Sequence, residues 1–538
     1  MYVFIFYIML AIFPSCEGSA ISPVPGDEIP ENPDPPVPAV ADTTAPSVPS
    51  GLTAEAVSSS SIELVWSAST DDRGVEAYRV YRGTTLAGTT AVTAWIDTGL
   101  QPETAYSYRV CAFDSAGNCS ELSSPAQAVT EEGSQTGATY YVGPGRTYAT
   151  LQDVAIHLRP GDLVIVDGGR VYPGGLAFYN SGTPEAPITI RGDKSGGSRP
   201  VIEGGHDVVE FNRDNYVFES FEIRNSSFRG LYHHADNITL RDCVVHHCPH
   251  GILGADTGSG DILIEYCEVY SCGEGDGRHQ IYMSTNENDF PGSVFRMRFC
   301  YIHDGTGGNN VKSRAERNEI HYNWLENPYY HNLELIGPDP AGGVAEDAAR
   351  EDSDVVGNVL IARRFSRNVR IGGDGCGNSW GRYRFVNNTF IHRCPTPASQ
   401  IFAHFDVESV EMHNNVFYMT GGVAFDDSEA DWVYGRRVSG SSNWVSSGRG
   451  YPGEWTATIT GPDPGFADMA GNDFMPAAGS LLIGGGTTSM TSPDGSPFID
   501  PLALPLYHPP VMTLIPVGTG EPRPSVGVVD IGAYEAPY

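Results

Sequence analysis

Two stretches, "ITLRDCVVHHCPHGILG" (238–254) and "ILIEYCEVYSCGEGDGRHQIYMS" (262–284), follow the same pattern. In each, an apolar residue stands three positions before a cysteine and another stands two positions after it. The two cysteines, Cys243 and Cys267, are 24 residues apart. A third short apolar strand follows at the end of each stretch. The pattern therefore predicts three short strands in every repeat, with one column residue between the first strand and the second.

The same column recurs along the chain with a period of roughly 25 residues, lengthened by insertions. Its further members are Cys300, Asn323, Asn358, Asn388 and Asn415. Short strands repeating at this period are typical of a β-solenoid. Stacked asparagines satisfy one another's amides by hydrogen bonds along the stack. We therefore expect an asparagine ladder, with the column cysteines as small, reduced, buried side chains.

Composition agrees with a β-rich protein and excludes one class of partner. Only 18% of the residues are charged, and the chain holds 63 glycines and 39 prolines, which favours turn-rich β structure. The net charge of −34 argues against nucleic acid as a partner. Lysine occurs only twice, as Lys194 and Lys312. Unlike arginine, a lysine with a lowered pKa can act as a base.

The N-terminus predicts export. Residues 1–16 form an apolar run that ends in small residues, which is typical of a signal peptide. The motif "FPSC" also fits a lipoprotein signal, in which Cys16 would carry an outer-membrane lipid anchor. Residues 17–44 are Pro-rich and predict a linker. We expect a secreted or cell-surface bacterial protein that is a monomer.

Residues 45–131 form the first predicted domain. Alternating apolar and polar residues between turn signals predict a β-sandwich. The segment "LQPETAYSYRV" resembles the tyrosine-corner region of a fibronectin type III domain, with Tyr106 at the corner and Trp66 in the core.

Residues 139–538 form the second predicted domain. The opening strand and short helix "ATLQDVAIHL", the asparagine column and the closing "VVDIGAYEAPY" resemble bacterial right-handed parallel β-helix proteins of the pectate-lyase-like superfamily. The predicted fold class is thus all-β, with a right-handed parallel β-helix preceded by a fibronectin type III sandwich. The resemblance implies a polysaccharide-degrading enzyme.

The third strand of each repeat alternates inward and outward residues. In the middle of these third strands, the outward row consists of Tyr232, Leu253, Tyr282, Lys312, Glu334, Arg370 and Phe402. The next outward row reads His234, Ala255, Ser284, Arg314, Ile336, Gly372 and His404. By the same alternation, the outward row two residues before the middle row consists of Gln280, Asn310, Asn332, Asn368 and Gln400. His279 and His331 stand at the strand entrances.

This face suits β-elimination of a uronic-acid polysaccharide. The reaction needs neutralisation of the carboxylate, a base for the C5 proton and an acid for the leaving oxygen. The expected catalytic residues are Lys312 as the base, Tyr282 or a histidine as the acid, and Arg314, together with Arg370, as a carboxylate clamp. The expected substrate-binding residues are Arg370, Glu334, His279, His331, Asn310 and His404.

The run "VKSRAERNEIHYNWLE" is also similar to the chondroitinase B and alginate lyase family. That likeness implies Lys312 as the base and would imply calcium as a cofactor. However, the chain has Ile336 where the family has an arginine. The acidic calcium ligands would fall near Gly305 and Gly307. The residues themselves predict no metal site.

Two other functions stay open. A glycoside hydrolase needs two carboxyl groups, and the row offers Glu334 with the more distant Asp374 or Asp406. A non-catalytic glycan-binding surface protein needs only the aromatic and polar face. Taken singly, each outward residue also fits an ordinary solvated strand, with Lys312 and Glu334 as a cross-strand ion pair.

The remaining cysteines predict disulfides of an exported protein. Cys111 and Cys119 flank a hairpin-like turn and are expected to pair. Cys248 and Cys272 each follow a column cysteine by five residues, which predicts stacking at a disulfide-compatible distance. A third expected pair is Cys376–Cys394.

Overall fold

The computed structural model describes residues 42–537, except for 84, 99, 101–103, 115, 131–136, 256, 339–350, 363–366, 375–378, 394–397, 494–497, 499–501 and 525–527. The predicted signal peptide, most of the linker, Cys16 and the Cys376–Cys394 pair lie outside this part of the chain.

The first domain is a sandwich of two antiparallel sheets. One sheet contains β1 (Ser50–Ala56), β2 (Ile62–Ser67) and β5 (Ala94–Asp97). The other contains β3 (Ala77–Arg82), β4 (Thr85–Thr90), β6 (Ala105–Phe113) and β7 (Ala126–Val129). Alternate residues of β2 point inward, and Trp66 is buried among them as predicted.

The second domain is a parallel β-helix whose complete coils each contribute one strand to each of three sheets. Sheet A contains β8 (Thr139–Val142), β9 (Leu163–Val166), β12 (Ile188–Gly192), β15 (Tyr216–Glu219), β18 (Ile238–Arg241), β21 (Ile262–Glu265), β24 (Val294–Arg298), β27 (Arg317–His321), β30 (Asp352–Val356), β33 (Gly381–Val386), β36 (Val407–His413) and β39 (Val438–Ser441).

Sheet B follows sheet A in each coil. It contains β10 (Val171–Pro173), β13 (Val201–Glu203), β16 (Glu222–Arg224), β19 (Val244–His246), β22 (Glu268–Tyr270), β25 (Tyr301–His303), β28 (Trp324–Glu326), β31 (Val359–Ala362), β34 (Thr389–His392), β37 (Val416–Met419), β40 (Trp444–Ser446) and β41 (Ile459–Gly461).

Sheet C completes the coil. It contains β11 (Leu176–Ala177), β14 (Asp207–Phe211), β17 (Arg229–His233), β20 (His250–Gly254), β23 (Ile281–Ser284), β26 (Val311–Arg314), β29 (Leu333–Ile336), β32 (Val369–Gly372), β35 (Ile401–His404) and β38 (Phe425–Asp426). The fold class predicted from the sequence is confirmed.

The column residues occupy the tight turn from sheet A to sheet B. In the coils from Cys243 to Asn415, the residue before each has a positive φ, such as 53° at Asp242 and 67° at Gly357. This left-handed residue turns the chain sharply between two strands. The Nδ2 atom of Asn358 donates to Oδ1 of Asn388 at 3.0 Å, and Asn323 donates in the same way to Asn358 at 3.0 Å. The predicted asparagine ladder is therefore confirmed.

Short elements outside the three sheets pack against the β-helix. Helix α1 (Leu151–Ala155) begins with a capping box between Thr150 and Asp153 and buries its apolar side chains against the first coils. Near the C-terminus, β42 (Phe466–Asp468) and β43 (Asp473–Pro476) form a small antiparallel pair, and a 3-10 turn spans Glu429–Asp431. In the described part of the chain, none of the helices has the length and apolar run needed to cross a membrane.

Candidate active site

The register of sheet C places the predicted outward row in one line. Tyr282 pairs with Lys312, Lys312 with Glu334, Glu334 with Arg370, and Arg370 with Phe402. Parallel strands lie about 4.8 Å apart. These side chains therefore form a continuous stripe along the helix axis, and the register predicted for them is confirmed.

Lys312 lies at the centre of this stripe. Its Nζ is 3.7 Å from Oε2 of Glu334 and 3.7 Å from Oδ2 of Asp374, and it lies 5.3 Å from the centre of the Tyr282 ring. The side chain is 15% exposed. Burial and the charge of Arg314 lower the pKa of Lys312, and the two carboxylates raise it; the net pKa is below the ordinary lysine value.

Glu334 is buried between two cations. It accepts hydrogen bonds of 2.6 Å from Arg370 Nη1 and 2.6 Å from Asn309 Nδ2. Burial alone would raise the pKa of Glu334, but Lys312 and Arg370 outweigh it, so the pKa lies below the usual value. Glu334 is thus an ionised group that orients Lys312 and Arg370. Its burial does not fit the expected role in contacting substrate.

Arg314 differs from the sequence-based expectation. Its side chain is only 3% exposed. It donates to Tyr282 Oη at 3.1 Å and to the Gly337 carbonyl at 2.5 Å, and it forms an ion pair with Asp374. Strand alternation correctly predicted the direction of Arg314, but Asp374 closes over it. Arg314 is therefore a positioning residue for Tyr282 and Asp374, not a clamp open to substrate.

Arg370 remains partly accessible. Its side chain is 17% exposed, and Nη2 donates to the Gly373 carbonyl at 3.0 Å and contacts His404 Nδ1 at 3.3 Å. Because arginine can only donate, His404 accepts this hydrogen bond through Nδ1. His404 is half-buried, with its ring against Phe405 at 3.7 Å.

A second row borders the stripe at the strand entrances. It consists of Arg229, His250, His279, Asn309, His331 and Arg367. His279 Nδ1 accepts the backbone N–H of Asn309 at 2.8 Å, so a neutral His279 carries its proton on Nε2. His331 Nδ1 donates to the Arg367 carbonyl at 3.3 Å, which leaves Nε2 as the unprotonated nitrogen.

Burial keeps these imidazoles neutral at neutral pH. It lowers the pKa of His279 to about 3, with a further contribution from Lys312, and it lowers the pKa of His331 to about 4. The pKa of His250 is lowered to about 4, mainly by burial and then by Arg278 and Arg229. The sequence analysis identified His279 and His331 but missed the others, although the same alignment gives their positions.

Asn310 does not face outward. It belongs to an interior amide ladder formed by Gln280, Asn310, Asn332, Asn368 and Gln400. All five are fully buried. Asn310 Nδ2 donates to Asn332 Oδ1 at 2.8 Å and to the Glu326 carbonyl at 2.9 Å. These residues lie in the turn from sheet B to sheet C, before strand alternation begins, which corrects the predicted outward row and the substrate-binding role of Asn310.

The chain does not fit the calcium that its family resemblance would imply. The positions of the expected acidic ligands hold Gly305 and Gly307, which offer no carboxylate. Among the described residues, one group of three potential ligands has its ligand atoms within 4.8 Å of one another: Asp42, Asp71 and Asp72. That group lies at the first domain, so no step at sheet C is derived through calcium.

Two family models match the chain. Residues 47–129 match the fibronectin type III domain, and residues 199–360 match the right-handed β-helix region. The chain joins a fibronectin type III domain to a right-handed β-helix. This assignment rests on the strand register together with the two family models.

The curated relatives match the fibronectin type III part of the chain. An alpha-amylase from Niallia circulans is 40% identical over 146 residues, which covers 27% of this chain and 11% of the relative. Exoglucanase B from Cellulomonas fimi is 53% identical over 89 residues, covering 16% and 8%. Chitinase Chi52 from Paenibacillus xylanexedens is 40% identical over 176 residues, covering 30% and 34%. The chain thus spans about a third or less of each of these relatives.

Solved structures resemble each part. The fibronectin domain FN3tt is 24% identical, with a TM-score of 0.15, and the match covers 17% of this chain and all of FN3tt. The pectate lyase Pel9A is 14% identical, with a TM-score of 0.49, and the match covers 74% of this chain and 96% of that one.

Proposed function

We propose that this chain is a secreted enzyme that cleaves a uronic-acid polysaccharide by β-elimination on the outward face of sheet C. The observation that carries the proposal is Lys312. This lysine has a lowered pKa and points outward beside a tyrosine, two strands from a partly open arginine. A base, an acid and a carboxylate-binding group are the three parts that the reaction needs.

Charge supports an acidic substrate at this face. Lys312, Arg314 and Arg370 supply three positive charges against the two carboxylates of Glu334 and Asp374. With Lys312 protonated, these five side chains carry one positive charge in excess, within a chain of net charge −34. A local excess of positive charge attracts a polyanion, and it also favours the neutral form of Lys312.

In the proposed reaction, Lys312 and Tyr282 carry out the two proton transfers. Neutral Lys312 Nζ takes the C5 proton, and the electron pair of that C–H bond forms the C4–C5 double bond. The C4–O bond breaks, and its electrons leave on the oxygen, which takes a proton from Tyr282 Oη. Arg314 Nε holds Tyr282 Oη by donating to it, so the phenol keeps its own hydrogen for transfer. Both groups exchange protons with water after the product leaves.

Arg370 is the proposed partner of the substrate carboxylate. A guanidinium beside the C5 carboxylate neutralises it and stabilises the charge that develops when C5 loses its proton. The ion pair with Glu334 holds Arg370 in place. Arg229 and Arg367, the two partly exposed ends of the strand-entrance row, extend the positively charged surface along the helix axis, so neighbouring sugar residues of a polymer would lie across successive coils.

A glycoside hydrolase is the second candidate, and one distance favours it. Glu334 and Asp374 both lie 3.7 Å from Lys312 Nζ, so their oxygens are at most twice that distance apart. This upper limit lies within the range of carboxyl separations found in hydrolases. However, a hydrolase needs one carboxyl group with a raised pKa as its acid. The pKa of Glu334 is lowered, and Asp374 forms an ion pair with Arg314.

Secretion is part of the proposal. The sequence of residues 1–16 supports export, and Cys16 supports a lipid anchor. Fibronectin type III domains similar to this one occur in proteins named exoglucanase and chitinase, whose substrates are polysaccharides. The proposed partner is an acidic polysaccharide, because of the excess positive charge on sheet C.

The experiment is digestion of a panel of uronic-acid polymers with the full chain. New ultraviolet absorbance from unsaturated ends supports a lyase. New reducing ends without that absorbance would replace the lyase by the hydrolase. Retention on an immobilised polymer without any cleavage would reduce the protein to a glycan binder.

A further inference from the structure

A surface cleft of about 610 Å³ lies at the C-terminal end of sheet C. Its position follows from the register, because Asp426 of β38 pairs with Phe402 at the end of the catalytic stripe. The cleft is lined by Val423, Phe425, Arg436, Gly450, Tyr451, Pro452, Gly453 and Glu454. The cleft is open and shallow, with room for one sugar ring, and the proposed elimination makes no use of it.

Tyr451 forms a rigid aromatic wall of this cleft. It stacks on Trp455 at 5.9 Å and 17°, and Trp455 stacks on Phe417 at 5.4 Å and 28°. Phe417 stacks in turn on Phe390 at 4.9 Å and 8° inside the core. Tyr451 is still 40% exposed. An exposed ring that is fixed by a stack reaching into the core loses little entropy when a ligand binds.

The polar rim of the cleft carries a negative charge. Arg436 donates to Asp427 Oδ2 at 2.7 Å and forms an ion pair with Glu454. Two carboxylates against one guanidinium leave one negative charge. Burial alone would raise the pKa of Glu454, but Arg436 keeps it below the usual value, so Glu454 is ionised at neutral pH. This rim repels a uronate carboxylate and accepts hydrogen bonds from hydroxyl groups.

We propose that this cleft is a binding site for a neutral sugar residue, stacked on Tyr451 with its hydroxyls bound to Glu454. A pyranose ring combines a flat face of C–H groups with a rim of hydroxyls. The apolar side chains of Val423, Phe425 and Tyr451 match the first feature, and Glu454 and Arg436 match the second. The sign of the charge distinguishes this site from the lysine-centred site four coils away.

The test is isothermal titration calorimetry of the full chain with cellohexaose, xylohexaose, chitohexaose and a galacturonate hexamer. We expect at least one neutral hexamer to bind. Its affinity should fall about ten-fold or more in Tyr451→Ala, as expected when one aromatic contact is removed. Tyr451→Phe should bind as the wild type does. Tyr434→Ala removes a more exposed tyrosine outside the cleft lining and should leave binding unchanged.

Three results would overturn the inference: no neutral hexamer binds, the acidic hexamer alone binds in a Tyr451-dependent way, or Tyr451→Ala binds normally. Thermal unfolding of each variant shows whether the fold is intact. Lys312→Ala should keep neutral-sugar binding while losing elimination, so failure of this inference is separate from failure of the proposed lyase function.

Discussion

The ammonium group of Lys312 lies at the same distance, 3.7 Å, from Glu334 on the next strand and from Asp374 beyond strand β32. These two carboxylates hold the ammonium group in place. They also raise its pKa, whereas burial together with Arg314 and Arg370 lowers it by more. The base proposed here therefore depends on a balance between desolvation and two ion pairs, and that balance can be shifted by single substitutions.

Removing the charge of Glu334 should shift the pH profile of elimination. Lys312 must be neutral to accept a proton, so kcat/KM rises as pH passes the lysine pKa. Glu334 raises that pKa. Glu334→Gln should therefore move the rising limb to lower pH by about one unit, even if the maximum rate falls because Arg370 loses its partner.

The matched control is Glu265→Gln. Glu265 is also a buried glutamate paired with two arginines, Arg241 and Arg298, but it lies on sheet A. Its replacement should leave the rising part of the pH profile of kcat/KM at the same pH. If the rising part of the pH profile of kcat/KM does not move in Glu334→Gln, Lys312 does not control that profile.

Arg314 should matter more for folding than Arg370 does. Replacing Arg314 by alanine leaves Asp374 without its guanidinium partner and opens a buried space behind Tyr282. The expected loss is about 3–5 kcal/mol of unfolding free energy, as for a broken buried ion pair. Arg370→Ala, at a more exposed position, should cost clearly less in urea titrations. Equal losses would contradict the positioning role of Arg314.

The asparagine ladder should be a major source of stability. Asn358→Ala removes the acceptor of the Asn323 backbone N–H and of the Asn323 side-chain amide, both fully buried. We expect a loss of about 2–4 kcal/mol in denaturant titrations. Glu185→Ala, at an exposed position, serves as the control and should change stability by no more than about 0.5 kcal/mol.

The strand register was predictable from the sequence because an inward apolar residue recurs at a fixed offset from the column. The inward and outward alternation of the third strand in each repeat then placed Tyr282, Lys312, Glu334 and Arg370 on one line. The role of Asn310 was mispredicted, because residues in the turn before a strand do not follow the alternation within it.

The short distance from Asp374 to Lys312 and Arg314 was also not predicted. It follows strand β32 in a connection whose path is not set by the repeat, so no spacing in the sequence shows that it returns to cover Arg314. The burial of Arg314 could not be predicted for the same reason. The repeat determines side chains on strands, whereas the loops that close over them depend on tertiary contacts.

The cysteines test the register independently. The Sγ atoms of Cys111 and Cys119 lie 2.8 Å apart as thiols, and we expect this pair to be oxidised in the exported protein. The column cysteines Cys243, Cys267 and Cys300 are fully buried and should stay reduced. Peptide mapping under non-reducing conditions checks both statements. A disulfide from Cys243 to the fibronectin domain would contradict the structure.

The role of Lys312 is tested most directly by its replacement with arginine. Lys312→Arg keeps the charge beside Glu334 and Asp374 and much of the reach, but a guanidinium does not give up its proton near neutral pH. Lys312→Ala removes both the charge and the base. Because the side chain points outward, neither change should unfold the β-helix, and thermal unfolding controls for this. If Lys312 is the base, the initial rate of unsaturated-end formation should be almost abolished in both variants. A rate close to wild type in Lys312→Arg would contradict the proposed mechanism and leave His331, with its unprotonated Nε2, as the next candidate base.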